Sequence, residues 1–347
     1  MEFGIGLMGE HPAQRMRALC QLIESLGFDQ IWVSDERFYR DVFVNMTLAV
    51  CLTRKVKVGS MVTDPFVRHP AVTAAAAASV DELSGGRCIL GMGAGISGFE
   101  ELGIQRVRPA RAITEAVQLI HRITGGERDI IFEGESIRFR RGHLNFPPLR
   151  PVRVYVAGRG PRVLEVAGEV ADGVVIGSYA SERGIAWGLD CAAKGARHAG
   201  RRLEDIAKVS WLYTSISSDG RRARDAVRTG VAVAMWGSHG ILPQIGVRLP
   251  PDVLHIESGG VAWTNSAEQR RLRLHVGELH SRSRVRSRYW RPHPPSQRGP
   301  CHDNLDGDGQ RPSGARCPPG SSRHTISRRH QPTAYGVPRH ERLFRRE

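Results

Sequence analysis

Short apolar runs alternate along this chain with longer stretches whose apolar residues recur every three to four positions, from residue 3 to about residue 263. The runs predict strands at 3–8, 30–34, 56–62, 88–92, 152–157, 173–177 and 209–215. The helical spacing predicts helices at 12–26, 44–53, 70–83, 108–124, 161–171, 182–199 and 220–235. Several strands are apolar without alternation, as expected when both faces of a sheet are covered. Strand then helix, seven times over, is the pattern of a parallel α/β fold. One segment interrupts it: residues 129–146 read as an inserted β-hairpin, with a turn such as Arg141-Gly142-His143 closing it. Seven repeats leave two architectures open. One is a (β/α)8 TIM barrel short of its eighth repeat, the other an open doubly wound sheet.

Beyond residue 264 the pattern stops. Residues 270–347 hold 18 Arg, no Lys and 6 Asp or Glu, so they carry +12 of the net charge of +15. The preceding repeats are close to neutral, so the basic balance does not mark a folded nucleic-acid face. Arg, Gly, Pro, Ser and His dominate this tail, and such a composition buries too little apolar surface to offset chain entropy. Disorder is therefore expected over 265–347, with the folded domain at 1–264. Three origins compete for the tail: a nucleic-acid arm, an ordinary disordered extension, and translation out of frame. The chain has 46 Arg and 4 Lys, the bias of a G+C-rich gene, and shifting the frame of such a gene yields mostly these residue types. The third origin fits best, and it would leave the eighth repeat missing or scrambled.

No apolar run approaches the roughly 18 residues that span a bilayer. The opening MEFGIGLMGE lacks a basic region followed by an apolar one, which predicts no signal peptide. Cys20, Cys51, Cys88 and Cys191 form no CxxC or CxH cluster and read as reduced, buried small hydrophobes of a cytoplasmic protein. The histidines fall in neither HxxxH nor HExxH spacing, so no metal site is expected.

If the sheet closes into a barrel, its chemistry belongs at the carboxyl ends of the strands. The second strand runs into Ser34-Asp35-Glu36-Arg37-Phe38-Tyr39-Arg40-Asp41, a charged cluster that is either a solvated loop or an acid–base site at Asp35 and Glu36. The third ends in Ser60-Met61-Val62-Thr63, followed by Arg68-His69-Pro70, where a pocket-rim role and a helix-cap role stay equally open. The fourth ends in Gly91-Met92-Gly93-Ala94-Gly95. Those glycines do not open a helix with an acid ~20 residues on, so the dinucleotide fingerprint is absent. The fifth ends in Arg159-Gly160-Pro161 at a helix start, which is either an anion site or a plain turn with Pro at the first helical position. The sixth ends in Gly177-Ser178.

The segments WVSDERFYRD, VTDPFVRHP, DELSGGRCILGMGAG and AGRGP with ADGVVIG downstream resemble the luciferase-like flavin and deazaflavin oxidoreductases, nearest their methylenetetrahydromethanopterin reductase branch. The resemblance covers residues 3–263 and implies a TIM barrel of the luciferase-like type with a cofactor at its mouth. It implies hydride transfer between coenzyme F-420 and a small-molecule substrate. Asp35 matches the family's acidic position, and Glu36 stands where many relatives have His. For Glu36 to donate a proton, burial would have to raise its pKa above the reference of about 4.3. The resemblance also implies a non-prolyl cis peptide at Ser60–Met61 or Met61–Val62. Cofactor contacts then fall to Ser60, Met61, Val62, Thr63, Gly91, Gly93, Ala94 and Gly95, and cofactor phosphate to Arg159, Gly160, Pro161, Gly177 and Ser178. Gly6 and Ile96 depart from acids that particular branches carry, which puts the pterin substrate in doubt and argues against the sugar-phosphate dehydrogenases. An FMN-dependent monooxygenase is the alternative within the family, and relatives are often homodimers. A non-catalytic broken barrel, its basic tail binding nucleic acid nonspecifically, is the alternative outside it.

Overall fold

A computed structural model describes residues 1–248 apart from Ile96, residues 178–180, Gly237 and His239. The tail and the expected eighth repeat lie outside the described residues. The chain runs β1 (Gly4–Leu7), α1 (Ala13–Ser25), β2 (Gln30–Val33), α2 (Val42–Leu52), β3 (Lys57–Ser60), α3 (Pro70–Ser84), β4 (Cys88–Met92) and α4 (Pro109–Thr124). It continues through β5 (Ile130–Glu133), β6 (Arg138–Gly142), β7 (Arg153–Gly158), α5 (Pro161–Val170), β8 (Gly173–Gly177), α6 (Glu182–His198), β9 (Ala207–Trp211) and α7 (Gly220–Trp236).

Every strand of the main sheet lies parallel beside the strand of the next repeat, in the order β1-β2-β3-β4-β7-β8-β9. A doubly wound sheet reverses its order at a switch point, and this one never does. The fold is therefore the TIM-barrel type. β4 and β8 are buried at all five positions, which explains their unbroken apolar runs. β9 alternates half-buried and exposed residues and begins two residues before its expected start. Among the described residues it is an end strand of the sheet, with one partner rather than two.

Two apolar layers sandwich the sheet. Outside it, α1 to α5 pack Met16, Met46, Ala77, Ile113, Ile120 and Leu164 onto the strands. Inside it, Trp32, Ile89, Tyr155 and Val175 form a separate cluster with Trp211 at its edge. The inner layer fits because register sets glycines beside the rings. Trp32 pairs with Gly6 on β1 and Gly59 on β3, and Tyr155 with Gly91 on β4 and Gly173 on β8. A β-carbon at Gly59 would lie 2.6 Å from the Trp32 ring, and one at Gly173 would lie 2.6 Å from that of Tyr155.

The helix ends follow local chemistry. Asp41 accepts hydrogen bonds from the Phe43 and Val44 amides at 2.8 and 3.1 Å, a cap worth about 1 kcal/mol. Gly85, at φ 66°, supplies the left-handed residue that ends α3. Two expectations are corrected. Cys51 is exposed rather than buried, because α2 is apolar all round and Cys51 falls on its outer face. The hairpin turns at residues 134–137, not at Arg141-Gly142-His143. The buried Glu115 of α4 accepts from the amides of Glu135, Ser136 and Ile137 at 3.0, 2.8 and 3.0 Å, so a distant carboxylate fixes the turn. No described helix is long and apolar enough to cross a membrane.

α5 and α6 approach through small residues. A β-carbon at Gly195 would lie 1.8 Å from the Glu165 carbonyl oxygen, and one at Gly168 would lie 1.9 Å from that of Ala192. Gly195→Ala gains about 1 kcal/mol of helix propensity, but overpacking against backbone costs about 1–3 kcal/mol and more where nothing can move. Packing wins, so urea denaturation should show a less stable variant; an unchanged or higher midpoint would contradict this contact. Across the same interface Lys194 binds Glu165 at 2.7 Å and holds its carboxyl below the ordinary glutamate value of 4.5, with Arg162 adding to the effect. A depressed folded-state pKa stabilises above the unfolded value and fades as pH falls. The stability gap between wild type and Glu165→Gln should therefore shrink as pH drops below 4.5, which denaturation across pH would read directly.

Candidate active site

The loops after β1, β2, β3 and β4 meet at the carboxyl end of the sheet and are tied to one another by buried polar groups. Ser34, 2% exposed, accepts the Gly9 amide at 2.9 Å and fastens the first loop to the second. Ser60 donates to the Gly91 carbonyl at 2.8 Å. The Thr63 amide donates to the same carbonyl at 3.0 Å, and the Gly93 amide returns to the Thr63 carbonyl at 2.9 Å. Between Ser60 and Thr63 the backbone bulges, and the cis peptide falls at Met61–Val62. Met61 and Val62 stand half-buried at the sheet end, whereas Ser60, Thr63 and Gly91 are buried.

The glycines divide into two kinds. Gly91 serves packing: a β-carbon there would lie 2.0 Å from the Ser60 carbonyl oxygen. Gly93 brings bare backbone against the bulge, since a β-carbon would lie 2.8 Å from Val62 and 3.2 Å from the Ala157 carbonyl oxygen. Ala94 and Gly95 follow half-buried, with Gly95 at φ 65°. Across the sheet, Gly160 caps α5 with nothing within 4 Å of where its side chain would project, and Pro161 takes the first turn. Gly177 lies beside Arg159, whose Cγ is 3.9 Å from the position of a β-carbon. Ser178 lies outside the described residues.

Asp35 and Glu36 are brought together at this rim. The Asp35 side chain is 19% exposed. Burial is the largest influence on its carboxyl and holds its pKa above the ordinary aspartate range, although the Thr63 hydroxyl and Arg37 pull the other way. Glu36 accepts a hydrogen bond from the Ser97 hydroxyl of the β4 loop. His69 Nδ1 accepts the Ala71 amide at 3.2 Å to cap α3, and Arg68 pairs with Asp41 at 2.7 Å.

The residue the sequence reading left without a role is Arg37. Its guanidinium pairs with Asp64, which is 1% exposed, and donates to the Asp35 carbonyl at 2.8 Å. It also stacks 5.0 Å from the centre of the Phe99 ring, where Arg106 stacks at the same distance. The signal was present as Gly95 and Gly98, two turn glycines in the facing loop, but nothing local linked them to Arg37.

Known proteins share this fold and much of its sequence. The luciferase-like monooxygenase family model matches residues 1–295, past the boundary near 264 drawn from composition. The chain belongs to that family. It is an oxidoreductase, and its curated relatives agree. It is 33% identical over 252 residues to the 5,10-methylenetetrahydromethanopterin reductase of Methanolobus tindarius, covering 70% of this chain and 76% of that protein. It is 31% identical over 257 residues to the F-420-dependent glucose-6-phosphate dehydrogenase of Nakamurella multipartita, covering 69% and 75%. Among solved structures, the coenzyme F-420-dependent tetrahydromethanopterin reductase of Methanopyrus kandleri superposes with a TM-score of 0.65 at 28% identity, covering 70% of this chain and 75% of that one.

Gly98 tests the loop geometry. It takes φ 73°, and a β-carbon there would lie 2.2 Å from Arg37 Cγ. Gly98→Ala should lose about 1–3 kcal/mol from the left-handed backbone alone. Thermal melting should show it as a drop of several degrees; an unaltered melt would mean the turn is not held as described.

Proposed function

We propose that this chain is a coenzyme F-420-dependent oxidoreductase that moves a hydride between the deazaflavin and a small organic substrate, in the manner of the 5,10-methylenetetrahydromethanopterin reductases. One observation carries the reading: a half-buried carboxyl of raised proton affinity, Asp35, stands at the same strand ends as the closely packed glycine loop of Gly93 and Gly95. The names of the M. tindarius and N. multipartita relatives support the coenzyme and the reaction class.

The residues fit a large planar ring with a phosphate-bearing arm. The half-buried Met61, Val62 and Ala94 at these strand ends would face such a ring, and Gly93 lets the β4 loop pack directly against Val62. The arm's phosphate suits the start of α5, where Gly160 and the first amides of the helix meet Arg159 and Gly177. When bound, coenzyme F-420 supplies the hydride-carrying chemistry. The chain's own part is to place substrate over that ring, to keep water out, and to hold a proton. Trp32, Tyr155 and Trp211 fill the interior beneath the site. Asp35 holds the proton, its affinity raised because burial penalises the charged form. Glu36 lies beside it with its carboxylate fixed by Ser97.

Fluorescence titration with coenzyme F-420, with FMN run in parallel, tests the coenzyme. Saturable binding that favours the deazaflavin is the expected result, and preference for FMN would move the chain to the monooxygenase reading. Asp35→Asn should cut turnover by about 10²–10⁴-fold, the usual weight of a general acid or base, with coenzyme affinity unchanged. Undiminished turnover would strip Asp35 of that role.

A further inference from the structure

We infer that Arg37 is the positioning residue of this site: its guanidinium, gripped between the loops after β2, β3 and β4, holds both the Asp35 carboxyl and the glycine turn in their working places. The catalytic half of this inference rests on the proposed oxidoreductase reading.

Arg37 follows β2, yet it is fixed by residues of two other loops. Its side chain is 8% exposed. Nη2 pairs with Asp64, which is immobilised in turn by accepting the Phe66 and Val67 amides at 2.8 and 3.0 Å. Nη1 donates to the Asp35 carbonyl at 2.8 Å and stands 3.9 Å from the Asp35 carboxyl. The face of the guanidinium covers Phe99 from the β4 loop. That loop closes around the stem of Arg37 only because it carries glycine at both points of approach. A β-carbon at Gly98 would lie 2.2 and 2.4 Å from Arg37 Cγ and Cβ, and one at Gly95 would lie 3.3 Å from Nη2. Both glycines have positive φ, 65° and 73°.

An ordinary structural ion pair does not explain this arrangement. Burying a charge is costly, and replacing both partners of a buried bridge by a well-packed apolar pair is often harmless. Here the cost is greater, because Arg37 Nε is buried without a hydrogen-bond acceptor among the described residues. Nor would Lys do the same work. A planar group reaches two loops and stacks on a ring at once, and a point charge on a flexible stem does not.

The groups facing Asp35 are Arg37 on its own loop, Thr63 and Asp64 on the β3 loop, and Arg68 on the approach to α3. Arg37 and Arg68 favour the carboxylate, and Asp64 opposes it. Removing the Arg37 charge also leaves Asp64 unneutralised, so both changes drive the Asp35 pKa upward.

The test uses Arg37→Met and Arg37→Lys in the full chain, each first confirmed as folded by circular dichroism. Two readouts need no coenzyme: the Asp35 carboxyl titration by carbon NMR, and hydrogen exchange at the Gly93 and Ile104 amides, which donate to Thr63 and Phe99 at 2.9 and 2.8 Å. Arg37→Met should raise the Asp35 midpoint by about one pH unit and speed exchange at both amides about tenfold as the loop loosens. Arg37→Lys should restore the midpoint but not the slow exchange, because it returns the charge without the planar grip. With coenzyme and substrate, the Asp35 limb of the kcat/KM profile should move with the NMR midpoint. An unmoved midpoint in Arg37→Met, or wild-type exchange in Arg37→Lys, overturns the inference. Should Arg37→Met not fold, exchange in Arg37→Lys still decides. If the wild type binds neither coenzyme F-420 nor FMN, the function reading falls while the ligand-free readouts still judge Arg37.

Discussion

A curled parallel sheet must fill a narrow interior with side chains from strands whose outer face is already committed to helices. In this chain that constraint is met by three rings set among glycines. Trp32 lies 5.6 Å from Trp211 and 6.2 Å from Tyr155, measured between ring centres. Rings of that size fit only because their register neighbours have no side chain to offer. The Trp32 indole N–H donates to Gln30 at 2.8 Å, whereas that of Trp211 is buried without an acceptor among the described residues. A filled interior leaves the strand ends as the place where a ligand can lie. The sheet's packing thus decides where the chemistry goes before any catalytic residue is considered.

At those ends the structure spends polar interactions on holding loops together. Ser34 fixes the first loop, Ser60 and Thr63 lock the bulge to β4, and Arg37 draws the β4 loop toward Asp64. Within this frame Asp35 is half withdrawn from water, and a carboxyl so placed keeps its proton more firmly than one in solvent. The rim therefore joins a closely packed glycine loop to a carboxyl of altered proton affinity. Perturbed titration is a recurring property of working sites.

The repeats were legible because each strand and helix writes its own period into the sequence. β4 and β8 read as unbroken apolar runs because both of their faces are covered. β9 was placed too late because an end strand with exposed alternate positions blurs that signal. The hairpin turn was misplaced because its determinant is Glu115, which lies on α4 and twenty positions before the Glu135 amide it binds. Asp35, Glu36 and the glycine loop were singled out as candidates by their place at strand ends and by family likeness. Arg37 was not, since its partners Asp64, Gly98 and Phe99 come from loops that only the folded sheet brings together. Long-range electrostatics and backbone contact leave little trace in local composition.

The glycine contact between α5 and α6 reaches further than stability. With Gly168 against the Ala192 carbonyl and Gly195 against that of Glu165, the two helices meet backbone to backbone and have no side-chain cushion to compress. They can only shift as one slab. The start of α5 carries Gly160 and Pro161, and the start of α6 is capped by the Ser181 hydroxyl. Any divergence that retuned the chain toward a longer or shorter ligand arm would have to displace both helix starts in concert. Such a site evolves more readily by exchanging residues on its loops than by sliding the helix beneath them.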